Sequence, residues 1–103
     1  MLDLDRVVGF EWDQGNARKN ERHGVSQSEA EQVFFDAKLF VAPDASHSMG
    51  ESRYHALGST LGDRLLHVTF TLRADMTRIR VISARDMHRK ERTFYDAKAQ
   101  EDS

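Results

Sequence analysis

Three stretches in the second half of the chain, residues 52–58, 64–73 and 78–83, alternate apolar with polar residues or run apolar. That period belongs to β-strands. Only short turn signals separate them, Leu61-Gly62-Asp63 and Ala74-Asp75-Met76. Connections this short cannot carry the crossover helix that parallel neighbours require, so the three strands are expected to form an antiparallel meander. In the middle strand Leu66, Val68, Phe70 and Leu72 should face one way and His67, Thr69 and Thr71 the other.

The first half reads differently. Residues 6–12 (RVVGFEW) predict a short strand with Val8, Phe10 and Trp12 on one face. Asp13 is placed to cap a helix over residues 14–22, which Gly24 would stop. Ser26 with Glu29 forms a capping-box signature for a second helix that buries Ala30, Val33 and Phe34. Leu39–Phe40–Val41 predicts a brief strand, and Pro43 to Gly50 a loop. After the meander, Ser83 and Asp86 are read as the cap of a last helix over about 86–98. The order β-α-α-(β)-β-β-β-α, with helices segregated from an antiparallel sheet, defines an α+β class. A length of 103 residues suits one domain, 1–103.

Composition closes off several chemistries. The chain has no cysteine, which removes disulfide scaffolds, thiolate metal sites and thiol nucleophiles. The opening MLDLDRVVGFEW carries acids where a secretion signal would need an apolar run. The strongest apolar stretch, Leu65 to Leu72, is far short of the ~20 residues of a membrane helix. A soluble, cytoplasmic protein that makes no membrane contact is therefore expected. The six glycines are scattered, so no phosphate-cradling loop forms, and no G-x-S-x-G elbow occurs.

A net charge of −2 conceals an uneven distribution. Residues 1–50 hold five Lys/Arg against nine Asp/Glu, whereas residues 73–92 hold seven basic against three acidic residues. Six of those seven cations are arginine, the side chain whose fork matches phosphate and carboxylate. Arg78 and Arg80 share a face of the last strand, and Arg85, Arg89, Arg92 and Asp96 would share a face of the last helix, flanked by His88 and Tyr95. Arginines from strand and helix could converge on a phosphate, or pair with Asp86, Glu91 and Asp96 as a solvated face. Met87 and Phe94 should dock the helix on the sheet.

The five histidines show no helical zinc spacing. His55 and His67 could be cross-strand neighbours, and His23, before Gly24, suits a helix C-terminus. No metal site and no cofactor is expected.

Read together, these residues resemble a known family. Phe10-Glu11-Trp12-Asp13, then Gly15-Asn16 and Lys19, then His23-Gly24-Val25-Ser26 look like the N-terminal signature of BrnT proteins. Glu29-Ala30-Glu31 with Val33-Phe34 continues it. Gly50-Glu51-x-Arg53, Gly58 and Ile79-Arg80-Val81-Ile82-Ser83-Ala84-Arg85 match its middle, and Glu91-Arg92 with Tyr95 its closing helix. The match runs in order over about residues 9–96.

The resemblance implies a toxin of a type II toxin–antitoxin system, with a RelE-like fold and a ribonuclease activity that arrests translation. It implies a BrnA-like ribbon-helix-helix antitoxin as partner in a 2:2 heterotetramer. That complex would repress its own operon, touching operator DNA only through the antitoxin. The chemistry implied is metal-independent: the ribose 2′-hydroxyl attacks the adjacent phosphate and leaves a 2′,3′-cyclic phosphate. It needs proton-transfer groups and cations for the phosphorane charge. Arg80 and Arg85 are the first candidates for phosphate stabilisation, and His23, Glu51 and Tyr95 for proton transfer or positioning. Lys19, Arg53, Arg78, Arg89 and Arg92 are candidate RNA contacts. The alternative is a catalytically weak relative that serves mainly as the antitoxin's binding and co-repressor partner.

Overall fold

The computed structural model describes residues 4–44 and 51–101, apart from the side chains of Lys19 and Asn20. A single 3₁₀ turn, Leu4–Arg6, leads into β1 (Gly9–Glu11), α1 (Gln14–Arg22), α2 (Gln27–Val33) and β2 (Phe40–Pro43). The chain continues through β3 (Arg53–Ser59), β4 (Leu65–Arg73), β5 (Arg78–Asp86) and α3 (Arg89–Glu101). The class is α+β, as expected. The predicted loop over Pro43–Gly50, His47 included, lies outside the described residues beyond Asp44.

Local signals set the helix ends. Asp13 Oδ1 accepts from the backbone N–H of Gly15 (2.9 Å) and Asn16 (3.2 Å), which satisfies donors that a helix start leaves orphaned. Gly24, at φ 69°, ends α1 in the left-handed conformation. Ser26 and Glu29 form the reciprocal capping box of α2, at 3.0 and 3.1 Å.

The sheet order is β1-β5-β4-β3-β2. Strands β2 to β5 are antiparallel neighbours, which confirms the meander. The first strand corrects two expectations. It spans only Gly9–Glu11, and it joins the edge parallel to β5, with Glu11 opposite Arg80. Parallel pairing is allowed here because the helices and three other strands intervene in sequence. The ladder ends at Glu11 because α1 starts, and the Asn16 side-chain amide takes over. Buried Asn16 donates from Nδ2 to the carbonyls of Glu11 (3.0 Å) and Val81 (2.9 Å). Val8 is 79 % exposed rather than aligned with Phe10 and Trp12, which pack on the core.

The core lies between α1–α2 and one face of the sheet. Val25, Ala30 and Val33 meet Ala56, Leu66, Val68, Phe70, Ile79, Val81 and Ala84. Phe34 presents its edge to Phe70 at 4.9 Å between centroids. The approach of α2 to β3 is so close that a Cβ on Gly58 would lie 2.7 Å from Val33 Cγ1 and 3.0 Å from its carbonyl oxygen. We expect Gly58→Ala to cost about 1–3 kcal/mol, since backbone must yield. Urea unfolding checks this as a lower midpoint at unchanged slope.

The β4–β5 turn places Ala74, Asp75 and Met76 in succession at φ 53°, 55° and 69°. Left-handed backbone costs a non-glycine residue roughly 1–2 kcal/mol. Ala74→Gly relieves that at a glycine entropy cost of about 0.5–1 kcal/mol. A net gain of about 0.5–1 kcal/mol is expected, visible as a raised melting temperature.

The C-terminal helix departs most from expectation. β5 runs to Asp86, and α3 begins at Arg89. Ser83 is a strand residue opposite Thr69, because the ladder with β4 outcompetes a local cap. The cap comes instead from Glu91, whose carboxylate accepts from the His88 backbone N–H at 2.8 Å. Consequently Arg85 is a strand residue and does not share a helix face with Arg89, Arg92 and Asp96. Met87 does dock the helix, packing with Leu57 and Tyr95, while Phe94 meets Phe40 edge-on and stays 41 % exposed.

Candidate active site on the far face of the sheet

The face of the sheet turned away from the core is polar. Strand alternation and register put Arg53, His55 and Leu57 of β3 beside Thr71, Thr69 and His67 of β4. The next column is Arg80, Ser83 and Arg85 of β5, and Glu11 of β1 stands opposite Arg80. The α3 helix covers the Leu57–Arg85 end of this face.

Two arginine centres result. Arg80 and Arg85 stand opposite Thr71 and His67, four residues apart on β4, or about 13 Å along the strand. They do not converge on one point. Arg80 binds Glu11 (3.2 Å) and Asp13 (2.9 Å), and its guanidinium holds the Asp13 carboxyl below its ordinary range. Arg85 grips Glu91 with both terminal nitrogens, at 2.8 and 3.0 Å. This grip, with the His88 amide, lowers the Glu91 pKa to about 2. The Arg85 side chain is 27 % exposed, so its outer edge is reachable.

Imidazoles adjoin the second centre. His67 Nε2 is 3.9 Å from Glu91 Oε2, and the His55 ring lies on His67 with centroids 4.9 Å apart. They are diagonal neighbours, because His55 pairs with Thr69 and His67 with Leu57. Burial, then the nearby Arg85, lowers the His67 pKa to about 4. Its Nδ1 is buried without a hydrogen-bond partner among the described residues. His55 Nε2 is 3.2 Å from Oδ2 of buried Asp44. Among the described residues no group of three or more His, Asp or Glu side chains could hold a metal ion.

The other candidates from the sequence are dispersed around this face. Glu51 pairs with Arg73 (2.8 Å), at the Arg80 end of the sheet. Arg53 is partly buried on β3, and Arg78, Arg89 and Arg92 are exposed. His23 is exposed in the turn after α1. Tyr95 is buried beneath α3, and its hydroxyl donates to Asp36 Oδ2, with burial and that carboxylate raising its pKa. The side chain of Lys19 lies outside the described residues.

Sequence reasoning overlooked Arg64, which ties three elements together at the rim. It binds Asp86 (2.7 Å), Glu29 (3.2 Å) and the Gly24 carbonyl (2.9 Å). It also overlooked Asp44, and it treated Glu91 only as a surface partner of arginine. The Arg85–Glu91 pair has a six-residue separation that no helical spacing rule would single out.

Fold and site define a small α+β domain whose far sheet face carries arginines paired with carboxylates beside two imidazoles. Residues 12–91 match the family model described as the ribonuclease toxin BrnT of type II toxin–antitoxin systems, and the chain belongs to that family. A type II toxin of this kind has a protein antitoxin as its partner. No curated protein matches the chain. No helix among the described residues is long and apolar enough to cross a membrane.

Proposed function

We propose that this chain is a cytoplasmic endoribonuclease toxin that cuts RNA on the far face of its sheet and thereby arrests translation. The observation that carries this reading is the partly exposed Arg85 guanidinium, set on that face beside the His55–His67 pair. The ribose 2′-hydroxyl attacks the neighbouring phosphate, and Arg85 stabilises the charge that builds on the phosphorane. Leaving-group departure yields a 2′,3′-cyclic phosphate and a 5′-hydroxyl without a metal. Arg53 and the carboxylate-paired Arg80 lie further along the face, and Arg78, Arg89 and Arg92 flank it as RNA contacts. Lys19 is proposed as a further RNA contact and His23 and Glu51 as positioning groups, while Tyr95 anchors α3 over the site.

The partner we propose is a BrnA-like ribbon-helix-helix antitoxin in a 2:2 heterotetramer that represses its own operon. Induction of the chain in bacteria tests this reading. Growth arrest that co-expression of the antitoxin cancels is expected; normal growth with soluble, folded protein would contradict it.

One observation favours a second reading. Arg80 and Arg85 are already neutralised by the chain's own carboxylates, as they would be in a catalytically weak binding and co-repressor partner. Harmless expression with tight antitoxin binding would support it.

A further inference from the structure

Among the described residues, two histidines stand on the sheet, and their surroundings differ. His67 is buried and His55 is 36 % exposed at its side chain. His55 is held at both nitrogens: Nε2 lies 3.2 Å from Asp44 Oδ2, and Nδ1 lies 3.2 Å from Thr69 Oγ1. An ionised carboxylate only accepts hydrogen bonds, so Nε2 carries the proton and Nδ1 presents its lone pair to the Thr69 hydroxyl. Because Thr69 Oγ1 occupies that direction at 3.2 Å, an incoming hydroxyl reaches Nδ1 when the Thr69 side chain turns about χ1. A carboxylate behind an imidazole whose other nitrogen faces the reactant fixes the tautomer and stabilises the imidazolium once formed.

We infer that His55 is the general base of RNA cleavage, with Asp44 and His67 as its positioning residues, an inference that rests on the ribonuclease reading above. His55 Nδ1 takes the proton of the ribose 2′-hydroxyl as the 2′-oxygen bonds to phosphorus and the bond from phosphorus to the 5′-oxygen breaks. The 5′-oxygen leaves with a proton from water, and the imidazolium returns its proton to the hydroxide so formed. No other reactant is consumed.

The groups facing His55 fit this role. Asp44, after β2, supplies the balancing negative charge, and Thr69 and His67 of β4 line its other sides. Beyond His67 stand Arg85 of β5 and Glu91 of α3. Two imidazolium rings 4.9 Å apart would repel. Burial and Arg85 keep His67 uncharged at neutral pH, so no second imidazolium adjoins His55.

The test is the rate of messenger RNA cleavage by the purified chain in a cell-free translation extract, with free RNA assayed alongside. His55→Ala should lower kcat by about 10²–10⁴-fold. KM should stay within a few-fold, and added imidazole should restore part of the loss, which a merely structural role would not allow. Asp44→Asn should lower kcat at least tenfold while His55 remains in place. His55→Gln, which keeps a polar side chain, should be as inactive as His55→Ala and should match the wild-type melting temperature. Cleavage by folded His55→Gln within tenfold of wild type would overturn the inference and leave the ribonuclease reading intact. No cleavage by the wild-type chain in either assay would overturn both.

Discussion

Arg85→Ala should lower RNA cleavage by about 10²–10³-fold, the loss that follows removal of one preorganised donor to a transition-state anion. The argument starts in the ladder. Arg85 is fixed opposite His67 on β5, and Glu91 holds its guanidinium by a two-point grip. A phosphate reaching the exposed edge of that guanidinium meets a fork already oriented, so little side-chain entropy is lost when charge develops. Arg85→Lys should recover only part of the rate, because a point charge cannot reproduce the fork. RNA binding should fall much less than turnover in both variants, since Arg80, Arg53 and the exposed arginines still attract the backbone. Equal losses in binding and turnover would assign Arg85 to binding alone. Folding of each variant is checked by circular dichroism, because Arg85→Ala also leaves Glu91, 24 % exposed, without its main partner.

Acid should weaken the fold in a window that His67 defines. Its pKa is about 4 in the folded chain against an ordinary 6.5. Between those values the unfolded chain binds a proton that the folded chain refuses, so stability rises with pH there. The contribution is complete above pH 6.5 and is lost as pH falls towards 4, by up to ~3 kcal/mol. Glu91 acts in the same direction lower down. Its pKa of about 2 against 4.5 means that its stabilisation is present above 4.5 and fades as pH falls towards 2. From pH 7 to 4 the melting temperature of wild type should fall more steeply than that of His67→Gln, because the variant lacks the His67 slope. Parallel curves would show that His67 titrates normally.

Much of this architecture was legible in the sequence because its causes are local. Asp13, Gly24, Ser26 and Glu29 act on backbone groups within a few residues, and they mark the helix ends where the structure has them. The β3–β5 meander followed from alternation and short turns. The parallel pairing of β1 with β5 was not legible, since Glu11 and Arg80 are 69 positions apart and no local pattern encodes the contact. The start of α3 was misplaced for a related reason. Ser83 and Asp86 imitate a cap, but the ladder with β4 holds both residues in strand.

The site was legible by residue type and less so by arrangement. Arginine enrichment pointed to the face that carries Arg80 and Arg85, and the closeness of His55 and His67 follows from strand pairing. The roles diverge once tertiary partners appear. Arg80 and Arg85 belong to separate ion-pair centres, and Tyr95 faces Asp36 rather than the sheet surface. Asp44 gains its importance only because β2 brings it to His55.

The most direct measurement on the central claim is the chemistry of the RNA ends in cells induced for wild type or for Arg85→Ala. If the sheet face cuts RNA by internal attack of the 2′-hydroxyl, wild-type fragments will end in 2′,3′-cyclic phosphate and begin with a 5′-hydroxyl, and the variant will yield few of them. Fragments bearing 5′-phosphate and 3′-hydroxyl ends, or equal cleavage by Arg85→Ala, would contradict it.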